Sequence, residues 1–127
     1  TDLTLIEKIA KTKKPIIIST GMSSLDEIDK AVELIRKYTE QFVLLQCTSC
    51  YPTADENVNL NVIPALRSRY DCLVGYSGHE RGIAICTSAV ALGACVIEKH
   101  VTLDQNGPSP DSSISITFKK FSKRQHN

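Results

Sequence analysis

The chain has 127 residues, which suits one domain or part of one, and 42% of them are hydrophobic. Fifteen Lys and Arg against fourteen Asp and Glu leave a formal charge of +1, so there is no electrostatic basis for binding nucleic acid or an anionic membrane. The longest apolar runs, 16–18 and 42–45, are far shorter than the roughly 20 residues of a membrane-spanning helix.

The first residues and the cysteines indicate a compartment. The chain opens with Thr-Asp-Leu-Thr, without an initiator Met or a secretory leader, so we expect an excised segment of a cytoplasmic protein. The chain has five cysteines, an odd number, and all except Cys50 lie in apolar runs: Cys47, Cys72, Cys86 and Cys95. They are typical of small apolar residues in a reducing cytosol rather than of a disulfide framework.

The predicted elements begin with a helix, a strand and a second helix. Four apolar residues at helical spacing predict the first helix: Leu3, Ile6, Ile9 and Ala10. Pro15 ends it, and residues 16–19 read as a β-branched strand buried on both faces. A turn at 20–22 precedes Ser24-x-x-Glu27, a capping box that opens the second helix.

The same unit then recurs along the chain. Strands are predicted at 42–47, 73–76 and 96–101, with helices around 62–70 and 83–94. The strand starts at 16, 42, 73 and 96 are 26, 31 and 23 residues apart. This is the period of βα units, so we predict an α/β fold with parallel strands and right-handed crossovers.

Four such units fit two architectures, an open doubly wound sheet or half of a (β/α)8 TIM barrel. Periodicity does not separate them. Reactive side chains follow all four predicted strands, at 19–20, 48–49, 77–79 and 98–100. A barrel places functional residues at the ends of several strands, whereas an open sheet concentrates them at one switch point, so the pattern favours the barrel.

Cys47 and Cys50 form a C-x-x-C motif, which raises a redox or zinc hypothesis. A structural zinc site needs four ligands, and no second pair with suitable spacing follows. A thioredoxin-like motif opens a helix, whereas here Tyr51 and Pro52 lead into a loop. The simpler interpretation is that Cys47 ends a buried strand and Cys50 lies on a loop.

The histidines are more informative. If the third and fourth strands are neighbours, Ser77 and His79 share a face with Glu98 and His100 at the carboxyl edge of the sheet. Two neutral imidazoles suit Mn, Fe, Co or Zn better than Mg or Ca. A histidine at a strand end can also be a hydrogen-bonded structural residue, so the residues alone leave both interpretations open.

Two other polar residues have competing interpretations. Asp111 lies in the rigid Gly-Pro-Ser-Pro-Asp turn at 107–111, where it either caps the turn or accepts hydroxyls of a polar substrate. Lys14 precedes the first strand and so lies far from the carboxyl edge. With Lys11 and Lys13 it reads as a solvated basic cluster.

Taken together, the motifs resemble the N-acetylneuraminate (sialic acid) synthase family. Their order, spacing and strand-end positions agree over about residues 5–116, in segments 14–15, 19–22, 46–52, 75–80, 98–100 and 107–111. The most specific signal is Gly-Tyr-Ser-Gly-His-Glu at 75–80, followed about twenty residues later by Glu-Lys-His at 98–100. The resemblance implies a (β/α)8 barrel, followed in the family by a small antifreeze-like domain, that condenses phosphoenolpyruvate with N-acetylmannosamine or its 6-phosphate and releases phosphate.

The resemblance also implies roles for individual residues. His79 and His100 would bind a divalent metal, Mn or Mg, and Glu98 beside them would be the general base or water-orienting group. The remaining residues would contact the substrates: Ser49, Ser77, Lys14 and Ser19 the phosphate and carboxylate of phosphoenolpyruvate, and Tyr51 and Asp111 the amino-sugar. The parent protein is expected to be a cytoplasmic homodimer.

The chain departs from the family pattern in several places. It would supply only strands five to eight, so the first-half contacts to phosphoenolpyruvate and the antifreeze-like domain are missing. Many members have Asn where Ser49 stands, and many have a shorter Gly-Pro-Asp turn at 107–111. We therefore expect residues 1–116 to form the C-terminal half of the barrel and residues 117–127 to be a basic, disordered, truncated tail.

The sequence thus predicts a phosphoenolpyruvate-dependent transferase whose fragment is inactive alone. Two alternatives from other classes stay open. One is a non-catalytic barrel fragment that only binds or interacts, and the other is a C-x-x-C redox module.

Overall fold

The computed structural model describes residues 1–119. Its elements in chain order are α1 (Leu3–Lys11), β1 (Ile16–Ser19), α2 (Leu25–Arg36), β2 (Phe42–Cys47), a 3-10 turn (Asp55–Asn57), α3 (Val62–Tyr70), β3 (Leu73–Gly78), α4 (Ala84–Ala91), β4 (Ile97–Lys99), β5 (Val101–Thr102) and β6 (Ile116–Thr117). The predicted alternation of strands and helices is confirmed. Among these residues, no helix is both long and apolar enough to cross a lipid bilayer.

Strands β1 to β4 form one parallel sheet in chain order, with Ile16 opposite Phe42 and Val43 opposite Leu73. The ladder between β3 and β4 runs from Tyr76 opposite Ile97 to Gly78 opposite Lys99. Because the order never reverses, the described sheet has no switch point of the kind that doubly wound folds use.

The described α-helices all pack on one face of this sheet. Alternate strand residues join the helices in a single buried core cluster: Ile16, Phe42, Leu44, Val74 and Tyr76. Their neighbours Ile17 and Leu73, on the opposite face, are 58% and 61% exposed. Helices on one face only are the arrangement of a barrel wall rather than of a doubly wound sheet, so the barrel prediction is supported.

Local sequence accounts for how the helices begin. In α2 the Ser24 hydroxyl accepts from the Glu27 amide at 3.3 Å, and the Glu27 carboxylate accepts from the Ser24 amide at 2.9 Å. The predicted capping box is therefore confirmed. In α1 the Asp2 carboxylate accepts from the Leu5 amide, a cap that the sequence analysis had not identified.

Two sequence-based expectations were wrong. Strand β1 is not buried on both faces, because the helices cover only one of them and leave Ile17 exposed. The strand predicted at 96–101 is interrupted at His100: β4 ends at Lys99, and β5 pairs instead with β6, with Val101 opposite Ile116.

The pairing of β5 with β6 also includes one residue of the predicted tail. Thr117, which we assigned to the tail, is the second residue of β6 and lies opposite Thr102. Residues 120–127 of the predicted tail lie outside the described residues.

Candidate functional site

His79 and His100 are each the first residue beyond the last ladder pair of β3 and β4. Their ring centroids are 5.2 Å apart and the ring planes meet at 69°. His79 is buried, at 5% exposure, whereas 35% of the His100 side chain is exposed. The structure therefore brings the two predicted metal ligands together at the carboxyl edge, one on the floor of the site and one at its rim.

One nitrogen of each imidazole is engaged by the protein. Nδ1 of His79 lies 3.0 Å from the Thr48 carbonyl oxygen, which can only accept, so this nitrogen carries the proton. Nδ1 of His100 lies 3.6 Å from Oδ2 of Asp111. The His79 contact fixes the tautomer of that ring and leaves its Nε2 lone pair available to a metal. At His100 the separation is too long for a hydrogen bond, but Asp111 faces Nδ1 and leaves the Nε2 side of the ring open.

Tyr51 lies against both histidines. Its ring centroid is 4.2 Å from that of His79 and 6.0 Å from that of His100. Burial, and then the charges of Cys47, Asp111 and Glu98, raise the pKa of the Tyr51 hydroxyl above its ordinary value. At neutral pH the phenol is therefore protonated and can donate a hydrogen bond, while half of the side chain stays open to solvent.

Ser77 and Glu98 meet across the β3–β4 ladder on the same face as the histidines. The Ser77 hydroxyl, buried at the foot of the site, donates to Oε1 of Glu98 at 2.7 Å. Glu98 itself is exposed. This bond fixes one oxygen of the carboxylate and leaves the other free to accept a proton or a water.

Cys47 ends β2, and the loop that follows carries Ser49 and Cys50. The Cys47 sulfur lies 3.9 Å from the Ser49 hydroxyl and 3.8 Å from Nδ1 of His79. Gly21, after β1, lies so close that a Cβ there would collide with the Ser49 hydroxyl. The loops that follow β1 and β2 thus pack together beside His79.

This geometry gives no support to the redox hypothesis. None of the five cysteines in the described residues forms a disulfide, and Cys50 is exposed. Cys47 is the last residue of β2, and a loop, not a helix, follows it. The thiolate-stabilising helix start of thioredoxin-like motifs is therefore absent at this position.

Most of the predicted site residues lie at this edge, and one does not. The rings of Tyr51, His79 and His100 contact one another, Asp111 faces His100, Ser77 is hydrogen-bonded to Glu98, and Ser49 adjoins Cys47. Ser19 is the last residue of β1, at the same edge but separated from β3 by β2. Lys14 precedes β1, so the structure places it at the amino end of the sheet, away from the histidines.

The sequence analysis missed the residues behind the site. Thr48, which engages His79 through its backbone, is one. A second group consists of Glu80, Lys99 and Tyr76, which form a buried polar cluster on the helix-covered side. The sequence did contain a signal for the second group. Glu80 and Lys99 have opposite charges, and each lies next to a histidine of one of the two most specific motifs.

The donor set fits a divalent metal in part. Within residues 1–119 no group of three or more His, Cys, Asp or Glu side chains is arranged to hold an ion. The pair that the structure does bring together, His79 and His100, offers two imidazoles, a donor type that suits Mn better than Mg.

Comparison with known proteins gives the family. The NeuB family model matches residues 1–125. The chain is 47% identical over 119 residues to N,N'-diacetyllegionaminic acid synthase of Campylobacter jejuni, covering 91% of this chain and 36% of that protein. It is 46% identical over 112 residues to human N-acetylneuraminate-9-phosphate synthase, covering 87% and 31%.

A solved structure agrees. The crystal structure of an N-acetylneuraminic acid (sialic acid) synthetase from Leptospira borgpetersenii superposes with a TM-score of 0.92 at 40% identity, covering 96% of this chain and 43% of that one. The chain spans about a third of the length of the curated relatives it matches. By sequence and by structure, it belongs to the NeuB family, that of the N-acetylneuraminate synthases.

Proposed function

We propose that this chain supplies the metal- and substrate-binding edge of an enzyme that condenses phosphoenolpyruvate with N-acetylmannosamine or its 6-phosphate. A bond forms between the methylene carbon of phosphoenolpyruvate and the aldehyde carbon of the sugar, whose oxygen takes up a proton. Water adds to C2 of phosphoenolpyruvate, and the bond from C2 to the phosphate oxygen breaks to release phosphate. The observation that carries the proposal is the His79–His100 pair, whose rings lie 5.2 Å apart with Nδ1 of each facing a protein oxygen.

The two histidines would bind Mn or Mg through Nε2. A cation held there would polarise the sugar aldehyde as a Lewis acid. Thr48 and Asp111 would keep the two rings oriented, since each faces the Nδ1 that is not used for the metal.

Hydroxyl groups would bind the anionic substrate. Ser77 and Ser49 lie beside the histidines and Ser19 lies at the same edge, where they would donate to the phosphate and carboxylate. Lys14 is left out of this set because it lies at the opposite end of the sheet.

The remaining residues would act on the sugar and on water. Tyr51 would donate a hydrogen bond from its phenolic hydroxyl to the sugar. Asp111 would accept hydrogen bonds from sugar hydroxyls with the carboxylate oxygen that does not face His100. Glu98, held by Ser77, would orient or deprotonate the water.

The 127 residues alone are proposed not to turn over substrate. Binding both substrates in register contributes roughly 7–11 kcal/mol to such bimolecular reactions and needs convergent donors held in fixed geometry. The serines at this edge supply neutral donors to phosphoenolpyruvate, whereas phosphate sites commonly add a cation. Incubation with Mn, phosphoenolpyruvate and N-acetylmannosamine should yield no sialic acid or phosphate above a His79→Ala control.

Metal titration tests the site itself. We expect the chain to bind Mn²⁺ weakly, and His79→Ala or His100→Ala to abolish that binding, because each leaves one imidazole. Cys50→Ser and Cys47→Ser are the controls and should bind as the wild type does. If the cysteine variants lose Mn²⁺ and the histidine variants keep it, the proposed function is wrong.

A further inference from the structure

Glu80 and Lys99 form an ion pair directly behind the two histidines. Glu80 follows His79 and Lys99 precedes His100 in the sequence, and their side chains are 0% and 6% exposed. The Lys99 Nζ lies 3.1 Å from Oε1 of Glu80 and also donates to the Glu80 backbone carbonyl. One lysine on β4 thus holds both the side chain and the backbone of the residue that follows His79.

The Glu80 carboxylate is fully engaged. The Tyr76 hydroxyl donates to Oε2 at 2.7 Å, and the Cys86 thiol donates to Oε1 at 3.3 Å. Burial opposes ionisation of Glu80, but the bonds from Tyr76, the Glu80 amide and Lys99 outweigh it and hold the pKa below its ordinary value. The carboxylate is therefore charged at neutral pH and paired with Lys99.

The chain is shaped to accept this pair. A Cβ on Gly78 would lie 2.6 Å from Oε2 of Glu80 and 2.8 Å from the Tyr76 ring, so only glycine leaves room for the carboxylate to fold back. A buried ion pair contributes little net stability, because desolvation offsets the attraction. The desolvation cost of burying Glu80 and Lys99 is therefore better explained by a role in fixing local geometry than by a gain in stability.

The sheet itself does not fix the spacing of the histidines. The β3–β4 ladder ends at Gly78 and Lys99, and the next backbone bonds go elsewhere. The His79 carbonyl accepts from the Thr53 amide, and the His100 carbonyl accepts from the Ile116 amide. Beyond the ladder, the Lys99 side chain connects the end of β4 to Glu80, the second residue after β3.

We infer that Glu80 and Lys99 are positioning residues that set the spacing and orientation of His79 and His100 for metal binding. The part of this inference that concerns metal binding rests on the proposed function. The part that concerns the spacing and orientation of the two rings does not. Glu80 and Lys99 lie on the helix-covered side, away from the face that carries the two imidazoles, and so would not be ligands of a metal held there. They act by holding the two backbones from which the imidazoles project.

The test replaces Lys99 by methionine, which keeps the length of the side chain and removes the charge. In the 127-residue chain we expect Lys99→Met to weaken Mn²⁺ binding about tenfold or more, the range typical of residues that orient metal ligands. In the metal-free chain, the NOE between the His79 and His100 ring protons should weaken or vanish. Arg69→Met is the matched control, since it breaks the Arg69–Asp29 pair between α3 and α2 and should leave both readouts unchanged.

The outcomes separate this inference from the proposed function. If the wild type shows no histidine-dependent Mn²⁺ binding, the proposed function fails, and the NOE alone decides the geometric role. If Lys99→Met folds and binds Mn²⁺ within twofold of wild type with its NOE intact, the inference is overturned. Should Lys99→Met fail to fold, Tyr76→Phe decides instead: it removes one bond to Glu80 and should weaken Mn²⁺ binding at least threefold, and an unchanged affinity and NOE would reject the positioning role.

Discussion

The hydroxyl of Ser77 on β3 donates a hydrogen bond to the carboxylate of Glu98 on β4, at 2.7 Å. Ser77 is buried, whereas Glu98 is exposed. The hydroxyl has one proton, so it cannot donate to Glu98 and to an anionic substrate at the same time. Substrate binding at Ser77 would therefore release the Glu98 carboxylate from its partner. The bond links the proposed anion site to the proposed general base.

The first prediction concerns the strength of that bond. Ser77→Ala should lower the free energy of unfolding by about 1 kcal/mol, as is usual for one hydrogen bond. In a double-mutant cycle with Glu98→Ala, most of that loss should appear as coupling energy, measured by urea unfolding. Ser88→Ala, which removes a hydroxyl that donates to Ala84 within α4, should show no coupling to Glu98→Ala. Equal coupling for both serines would contradict the assignment.

The second prediction concerns the tight packing of β3. A Cβ on Gly75 would lie 2.5 Å from the Val96 carbonyl oxygen and 2.6 Å from Cδ2 of Leu45. Gly75→Ala should therefore destabilise the fold by about 1–3 kcal/mol through overpacking. Gly107→Ala meets its nearest atom, the Ser112 hydroxyl, only at 3.1 Å and serves as the mild comparison. A smaller loss for Gly75→Ala than for Gly107→Ala, in urea unfolding, would show that the described contacts are not tight.

The third prediction is a pH dependence on the helix side, far from the histidines. Hydrogen bonds from Arg69 and then Tyr70 lower the pKa of Asp29 from 3.8 to about 2. A depressed carboxyl pKa stabilises the fold above the unfolded value and loses that effect as the pH falls through the folded value. The melting temperature of Asp29→Asn should thus lie below that of wild type at pH 7, and the difference should shrink between about pH 4 and pH 2. A difference that stays constant down to pH 2 would contradict this pairing.

The sequence was sufficient where a local rule decided the outcome. The β-branched run at 16–18 and the capping box at Ser24 placed β1 and α2 correctly, because both signals lie within a few residues of what they determine. The prediction that His79 and His100 share one face of the sheet followed from strand alternation, which required only that β3 and β4 be neighbours.

The rest depended on contacts between distant segments. Nothing near His100 in the sequence indicates that the strand breaks there, because the break follows from the pairing of Val101 with Ile116. The Thr48 carbonyl that engages His79 is a backbone group, which no side-chain pattern identifies. Lys14 was included on resemblance, although its place before the first strand already indicated the amino end of the sheet.

The last prediction concerns the face of the sheet that the helices do not cover. Ile17 and Leu73 are 58% and 61% exposed there, and β1 and β4 are the edges of the described sheet. Exposed apolar side chains on a sheet with open edges promote association, so the 127-residue chain should associate with rising concentration.

Light scattering after size exclusion measures that association. Ile17→Lys and Leu73→Lys should reduce it, because each places a charge on the open face. Leu25→Lys is the matched control: Leu25 is 53% exposed on α2, and its replacement should leave association unchanged. A wild-type chain that stays monomeric at every concentration would contradict the prediction.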